Sequence, residues 1–157
     1  MDTVGENRRG GTVRAAAGTA AAGLAAAGAL HVAWTRTPWP LSSPAEFASV
    51  VVGVEESRLP STTATLTVAG LLGTGAALVA ATGARPQGRL IRSGVWTVAG
   101  VLAARGLGGL AASSLELGRS TPEFRRWDLR LYSPLCLTLA GLSGYVAART
   151  RSVEPTA

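Results

Sequence analysis

Six side chains in this sequence have chemistry out of keeping with the apolar residues around them: His31, Trp34, Arg105, Asp128, Tyr132 and Cys136. Arg105 lies within Ser93 to Ser113, SGVWTVAGVLAARGLGGLAAS. A guanidinium held in hydrocarbon costs at least ~2.5 kcal/mol on insertion scales, so it calls for a partner. Asp128 is the first choice and Glu116 the second. The competing outcome is an Arg105 that snorkels outward and touches no acid. His31 is the only histidine. It is either a proton carrier, as the side chain whose charge changes near neutral pH, or an interfacial ring bonded to a neighbour. Asp128 and Tyr132 stand one helical turn apart and are expected to share a face. Tyr132 either donates to a ligand or anchors the chain at the headgroup level.

Cys136 is the single cysteine. That excludes an intrachain disulfide, a CxxC redox pair and a Cys-based zinc cluster, and with one histidine no conventional metal site is expected. No base is placed to activate it as a nucleophile, so it reads as a small packing residue. No Gly-rich phosphate loop, paired-carboxylate signature, HExxH or GxSxG occurs. No cofactor is expected, no catalytic residue can be assigned, and the reading leans away from an enzyme.

The elements that must position these groups follow from composition. Of 157 residues, 47% are apolar and only 15% charged, against about 25% charged in a soluble domain. Much of the surface therefore faces something other than water. The mean hydropathy of +0.28 is modest because alanine and glycine do most of the filling. Four apolar runs, 15–34, 61–82, 93–113 and 129–148, each approach the ~20 residues that cross a bilayer. The expected fold is all-α, an antiparallel four-helix transmembrane bundle over 15–149. A tail over 1–14 precedes it and another over 150–157 follows.

The first run is the weakest, since only Leu24, Leu30, Val32 and Trp34 add much transfer energy. A cleaved signal peptide competes there: Arg8 and Arg9 precede apolar residues with Ala-x-Ala sites. Gly10 and Gly11 follow the arginine pair where an export signal carries an apolar residue, and the run is kept as a span.

The connections carry start signals. Ser43-Pro44-Ala45-Glu46 reads as an N-cap, a first-turn proline and a capping box, followed by FASVVVG. That segment is too short to span and predicts a short interfacial or re-entrant helix between the first two spans, with Trp39 as a headgroup anchor. Thr121-Pro122-Glu123 predicts that the last helix begins near Pro122. Pro134 then falls inside it and is expected to kink it, freeing the Arg130 carbonyl.

All fifteen basic residues are arginine and the net charge is +6. They flank apolar runs without a continuous basic face, which argues against nucleic acid and for the bilayer as the partner. Eight arginines (8, 9, 14, 85, 89, 92, 149 and 151) fall on one side and six (36, 58, 119, 125, 126 and 130) on the other. This predicts cytoplasmic N- and C-termini in a bacterial plasma membrane. Small residues recur every four positions at Thr65, Ala69, Gly73, Ala77 and Ala81, at Gly100, Ala104, Gly108 and Ala112, and at Ala140, Gly144 and Ala148. Such stripes predict close packing, within the bundle or with a second copy or membrane partner.

Antiparallel spans bring His31, Trp34, Arg105, Asp128 and Tyr132 to one depth. The expectation is a polar pocket in the outer half of the bundle, lined by His31, Arg105, Asp128 and Tyr132, for a small polar or headgroup ligand. Arg105 would supply charge, Asp128 would hold it, and His31 or Tyr132 would handle a proton. The alternatives are a structural or accessory subunit and a small transporter or channel.

The segment Phe124-x-x-x-Asp128-x-x-x-Tyr132-Ser133-Pro134-Leu135-Cys136 resembles the signature of an uncharacterised bacterial family of small four-span membrane proteins, a domain-of-unknown-function family. His31-x-x-Trp34 with Trp39 resembles its first motif, and Arg105 matches an arginine late in its third span. Two departures stand out: Thr35-Arg36-Thr37-Pro38 replaces an Ala/Gly continuation, and Gly106 to Gly109 replace an acid that often follows the arginine. The resemblance implies four spans and supplies no assignment of an activity.

Overall fold

A computed structural model describes residues 3–85 and 87–150, with side chains from Gly10 onward. Its helices are α1 (Thr3–Trp34), α2 (Pro44–Phe47), α3 (Thr62–Ala84), α4 (Arg89–Ser114), α5 (Pro122–Trp127) and α6 (Ser133–Arg149). A π turn, Ala48–Val52, continues α2, and another, Asp128–Tyr132, joins α5 to α6. Among the described residues, four stretches are long and apolar enough to cross a membrane: Gly10–Trp34, Thr62–Ala84, Arg89–Ser114 and Pro122–Arg149. The chain is an all-α, multi-pass membrane protein. Residues 3–14, read as tail, continue α1 as helix. The tail beyond Thr150, with Arg151, lies outside the described residues.

Several threonines sit within these spans because their hydroxyls find an acceptor one turn back. Thr67 donates to Thr63 O, Thr74 to Gly70 O and Thr82 to Leu78 O, at 2.8–2.9 Å. In lipid, where water cannot satisfy a hydroxyl, this internal bond keeps the residue compatible with a span. Ser61 caps α3 by accepting from Ala64 N–H at 3.2 Å.

α1 packs chiefly on α3 and α4 on α6, while α1–α6 and α3–α4 contacts close the bundle. Close approaches show the antiparallel register. A Cβ on Gly28 would lie 3.3 Å from Ala69 O, and one on Gly83 would collide with Ala17. The core joins Leu24, Val79, Val95, Leu102, Leu139 and Val146 with the alanines of α1 and α6, and Cys136 packs half-buried against it.

The small-residue stripes divide. In α6, Ala140 is buried and Gly144 faces Trp96 and Ala99. In α4 the stripe does not pack within the bundle, which leaves the outward alternative. Gly100, Ala104 and Gly108 are exposed, and a Cβ on Gly100 or Gly108 would meet nothing. The buried face of α4 is Val95, Ala99, Leu102, Gly106 and Ser113, because this is the face that packs on α6 and its π turn, with Gly106 against Leu137 and Ser133 O. In α3, Gly73 and Ala77 are likewise exposed while Ala76, Val79 and Thr82 are buried.

Pro134 makes its break as a widened turn rather than as a simple kink. The Ser133 N–H reaches back to Asp128 O, five residues away, and α6 resumes through Pro134. A π turn of this kind accommodates a residue that the i→i−4 ladder cannot bond.

Candidate functional site

Asp128 is the centre of a saturated polar node. Its side chain is fully buried, whereas that of Arg105 is 43% exposed. Arg105 Nη2 donates to Asp128 Oδ1 at 2.8 Å; Ser113 Oγ and Ser133 Oγ donate to Oδ2 at 2.8 and 3.0 Å. Both carboxylate oxygens, carried on the π turn, are thus engaged by groups from α4 and α6. Gly109 makes room for this. A Cβ there would lie 2.8 Å from Asp128 Oδ2 and would collide with Arg105 Nη1 and Ser133 Oγ. A carboxylate removed from water needs this density of donors to remain charged.

The same π turn holds the α1–α3 connection. Tyr132 Oη donates to Val50 O at 3.3 Å, and its ring lies 5.9 Å from that of Phe124. The Thr121 hydroxyl donates to Ser49 O while accepting from Phe124 N–H at 3.3 Å. Gly53 ends the connection's π turn at φ 80°, where a Cβ would lie 2.7 Å from the Phe124 ring. A left-handed residue against an aromatic face requires glycine. At the other end of the segment, Ser43 Oγ accepts from Glu46 N–H at 3.2 Å. The Glu46 carboxylate reaches back one residue further than an ordinary capping box. It accepts from Ser42 Oγ at 2.6 Å and Ser42 N–H at 3.0 Å. These two bonds, the hydroxyl first, hold Glu46 below the usual carboxylate range.

On its other face this segment roofs a cavity of about 430 Å³. The end of α1 supplies His31 and Trp34 and the turn after it Arg36, the start of α3 supplies Ala64, Thr65 and Val68, and the roof supplies Phe47, Val51 and Val52. His31 Nδ1 lies 2.8 Å from Ala27 O. A carbonyl only accepts, so Nδ1 carries the proton and Nε2 is left without a hydrogen-bond partner among the described residues. The ring stacks at 4.9 Å, tilted, on Trp34, which meets Phe47 edge-on at 5.2 Å and donates Nε1–H to Trp39 O at 2.9 Å. Trp34 thereby fixes both the wall and the approach to the roof.

A family model matches residues 24–143. The chain belongs to the family described as "Protein of unknown function (DUF3995)". The match takes in His31, Trp34, Arg105, Asp128 and Tyr132, and the family's description names no activity. No curated protein and no solved structure matches the chain.

The single pocket expected from sequence is therefore two places. His31 and Trp34 line the cavity; Arg105, Asp128 and Tyr132 do not. Asp128 and Tyr132 do not act on one face, because the π turn sends the carboxylate to α4 and the hydroxyl to Val50. Arg105 has its acid, and Glu116 stands instead 3.9 Å from Arg125. From sequence Gly109 reads as a packing residue within the span, which fits its close approach to Asp128, whereas Ser113 and Ser133 carry no assigned partner. A hydroxyl in an apolar span at the level of a buried charge is the signal that would have found the serines. Arg36, read from sequence as a topology charge and as part of a departure from the first motif, lines the cavity. Among the described residues no group of three or more His, Cys, Asp or Glu converges to hold a metal.

Proposed function

We propose that this chain is a multi-pass protein of a bacterial plasma membrane, with both termini cytoplasmic, that binds a small amphiphilic molecule. The ligand would occupy the cavity at the outer ends of α1 and α3. Arginine placement supports the membrane and the orientation. The cavity itself carries the binding reading. Its volume of about 430 Å³ falls in the range of ligand sites, and its walls are mostly apolar with a few polar groups at the ends. The Arg105–Asp128 node acts at one remove. It fixes the π turn, which through Tyr132, Thr121 and Phe124 holds the roof in place.

Native mass spectrometry of the protein released from nanodiscs tests this. Retained amphiphile should be lost in Ala64→Phe, which fills the cavity, while helicity is unchanged. Equal retention by the filled variant would overturn the reading.

The outward stripe Gly100, Ala104, Gly108 favours a second role as the seat of a partner helix, in a homo-oligomer or an accessory assembly. Detergent-corrected mass should then exceed that of one chain and fall to it in Gly108→Leu.

A further inference from the structure

The cavity's charge identifies the ligand class more narrowly, resting on the reading that the cavity binds an amphiphile. Arg36 is the one fully charged residue in its lining, and no carboxylate lines it. Glu46, on the same connection, is turned back onto Ser42. Arg36 makes no ion pair or side-chain hydrogen bond among the described residues.

The helix ends do not reverse this sign. α1 ends at the cavity and α3 begins there. Their dipoles present about half a charge of each sign and largely offset. The α1 carbonyls are also covered: Val32 O accepts from Thr35 N–H and Oγ at 3.2 and 2.7 Å, and Ala33 O accepts from Arg36 and Thr37 N–H at 2.9 and 3.1 Å. The unit charge of Arg36 decides the balance.

The two helices give the lining a direction. α1 ends at Trp34 and α3 starts at Thr62. Arg36 and Thr37 lie just beyond the end of α1, whereas His31 lies about one turn, ~5 Å, back inside it and Val68 nearly two turns, ~9 Å, inside α3. Charge sits beside the helix ends and apolar surface further along the helices.

We infer that the cavity takes an anionic amphiphile, with its carboxylate or phosphate head on Arg36 and its hydrocarbon tail between Phe47, Val51 and Val68. Such a head could belong to a free single-chain acid or to a bilayer phospholipid.

The test uses the full chain in nanodiscs of zwitterionic phospholipid, with tryptophan emission as the readout because Trp34 lines the cavity. Dodecanoate, dodecyl phosphate, dodecanol and dodecylamine are titrated in parallel. The two anions should bind at least about tenfold more tightly than the alcohol or the amine, the scale of one charge-assisted hydrogen bond. Arg36→Gln should remove that preference and Arg36→Lys should retain most of it; Arg36 is exposed, so neither change threatens the fold. Equal binding of all four chains, or a preference that survives Arg36→Gln, would overturn the anion assignment while leaving an amphiphile cavity standing. Binding of none would overturn both. A second arm replaces the zwitterionic lipid by phosphatidylglycerol. Loss of dodecanoate binding there assigns the head to phospholipid; unchanged binding assigns it to the free acid.

Discussion

Two polar regions lie toward the same end of this bundle and differ in how fully their hydrogen-bonding groups are used. Around Asp128 each carboxylate oxygen accepts from α4 or α6, and the helix backbone is thinned to glycine to admit them. Around His31 and Arg36, polar groups face a cavity with Nε2 and a guanidinium that the described residues do not engage. A saturated site has its interactions committed to holding helices together, whereas one with unused donors beside an apolar wall retains capacity for something else. The charged residue buried most deeply is thus the scaffold here, and the exposed one at a helix end is the contact.

This contrast can be broken most strongly at the ion pair. Arg105→Ala should destabilise by about 3 kcal/mol or more, since it leaves a buried carboxylate unpaired or forces its protonation. Asp128→Ala should cost less, roughly 1–3 kcal/mol, because the arginine left behind is 43% exposed. Unfolding in mixed mild-detergent and SDS micelles would measure both; the reverse order would mean that the arginine, not the acid, is the buried member.

Gly109→Ala sharpens the same point. It should cost about 1–3 kcal/mol by forcing the node apart. Gly108→Ala, one residue away with open space, should be neutral or gain up to ~1 kcal/mol of helix propensity. Similar effects in the two variants would argue against the close approach of Gly109 to Asp128.

Between the regions, Tyr132→Phe removes the bond to Val50 O at about 0.5–1.5 kcal/mol. Ligand affinity should fall with it, although Tyr132 does not line the cavity. Unaltered affinity in a binding titration would separate the roof from the node.

The smallest effect lies at Glu46. Its folded pKa is depressed by the Ser42 bonds, so their contribution is present above the unfolded carboxylate pKa and is lost as pH falls through the folded one. Amide protection at residues 42–47, corrected for intrinsic exchange, should fall as pH drops through the depressed Glu46 pKa, and should show no such fall in Glu46→Gln.

Sequence made the architecture legible because hydrocarbon imposes a length and a polarity on every span. Thr121-Pro122 marked the start of the last helix for the same reason that it caps it. Contact between polar groups was harder to read. Depth follows from counting along helices, and it grouped His31 with Arg105 and Asp128. Azimuth does not follow when the π turn at Asp128–Tyr132 rotates the helix beneath the residues being counted. Exposed Gly100 and Gly108 illustrate the same limit: four-residue spacing defines a stripe but not the side of the helix that meets a neighbour. Glu46 shows a smaller version, its spacing fitting a capping box while the carboxylate takes Ser42.

The division between scaffold and contact is tested most directly by a photoreactive long-chain carboxylate, crosslinked to the protein in nanodiscs and mapped by peptide mass spectrometry. Labelling should fall on the end of α1, the roof and the first turns of α3, within residues 31–68. Labelling concentrated on α4 and α6 around Arg105 and Ser133, with none on the roof, would contradict it.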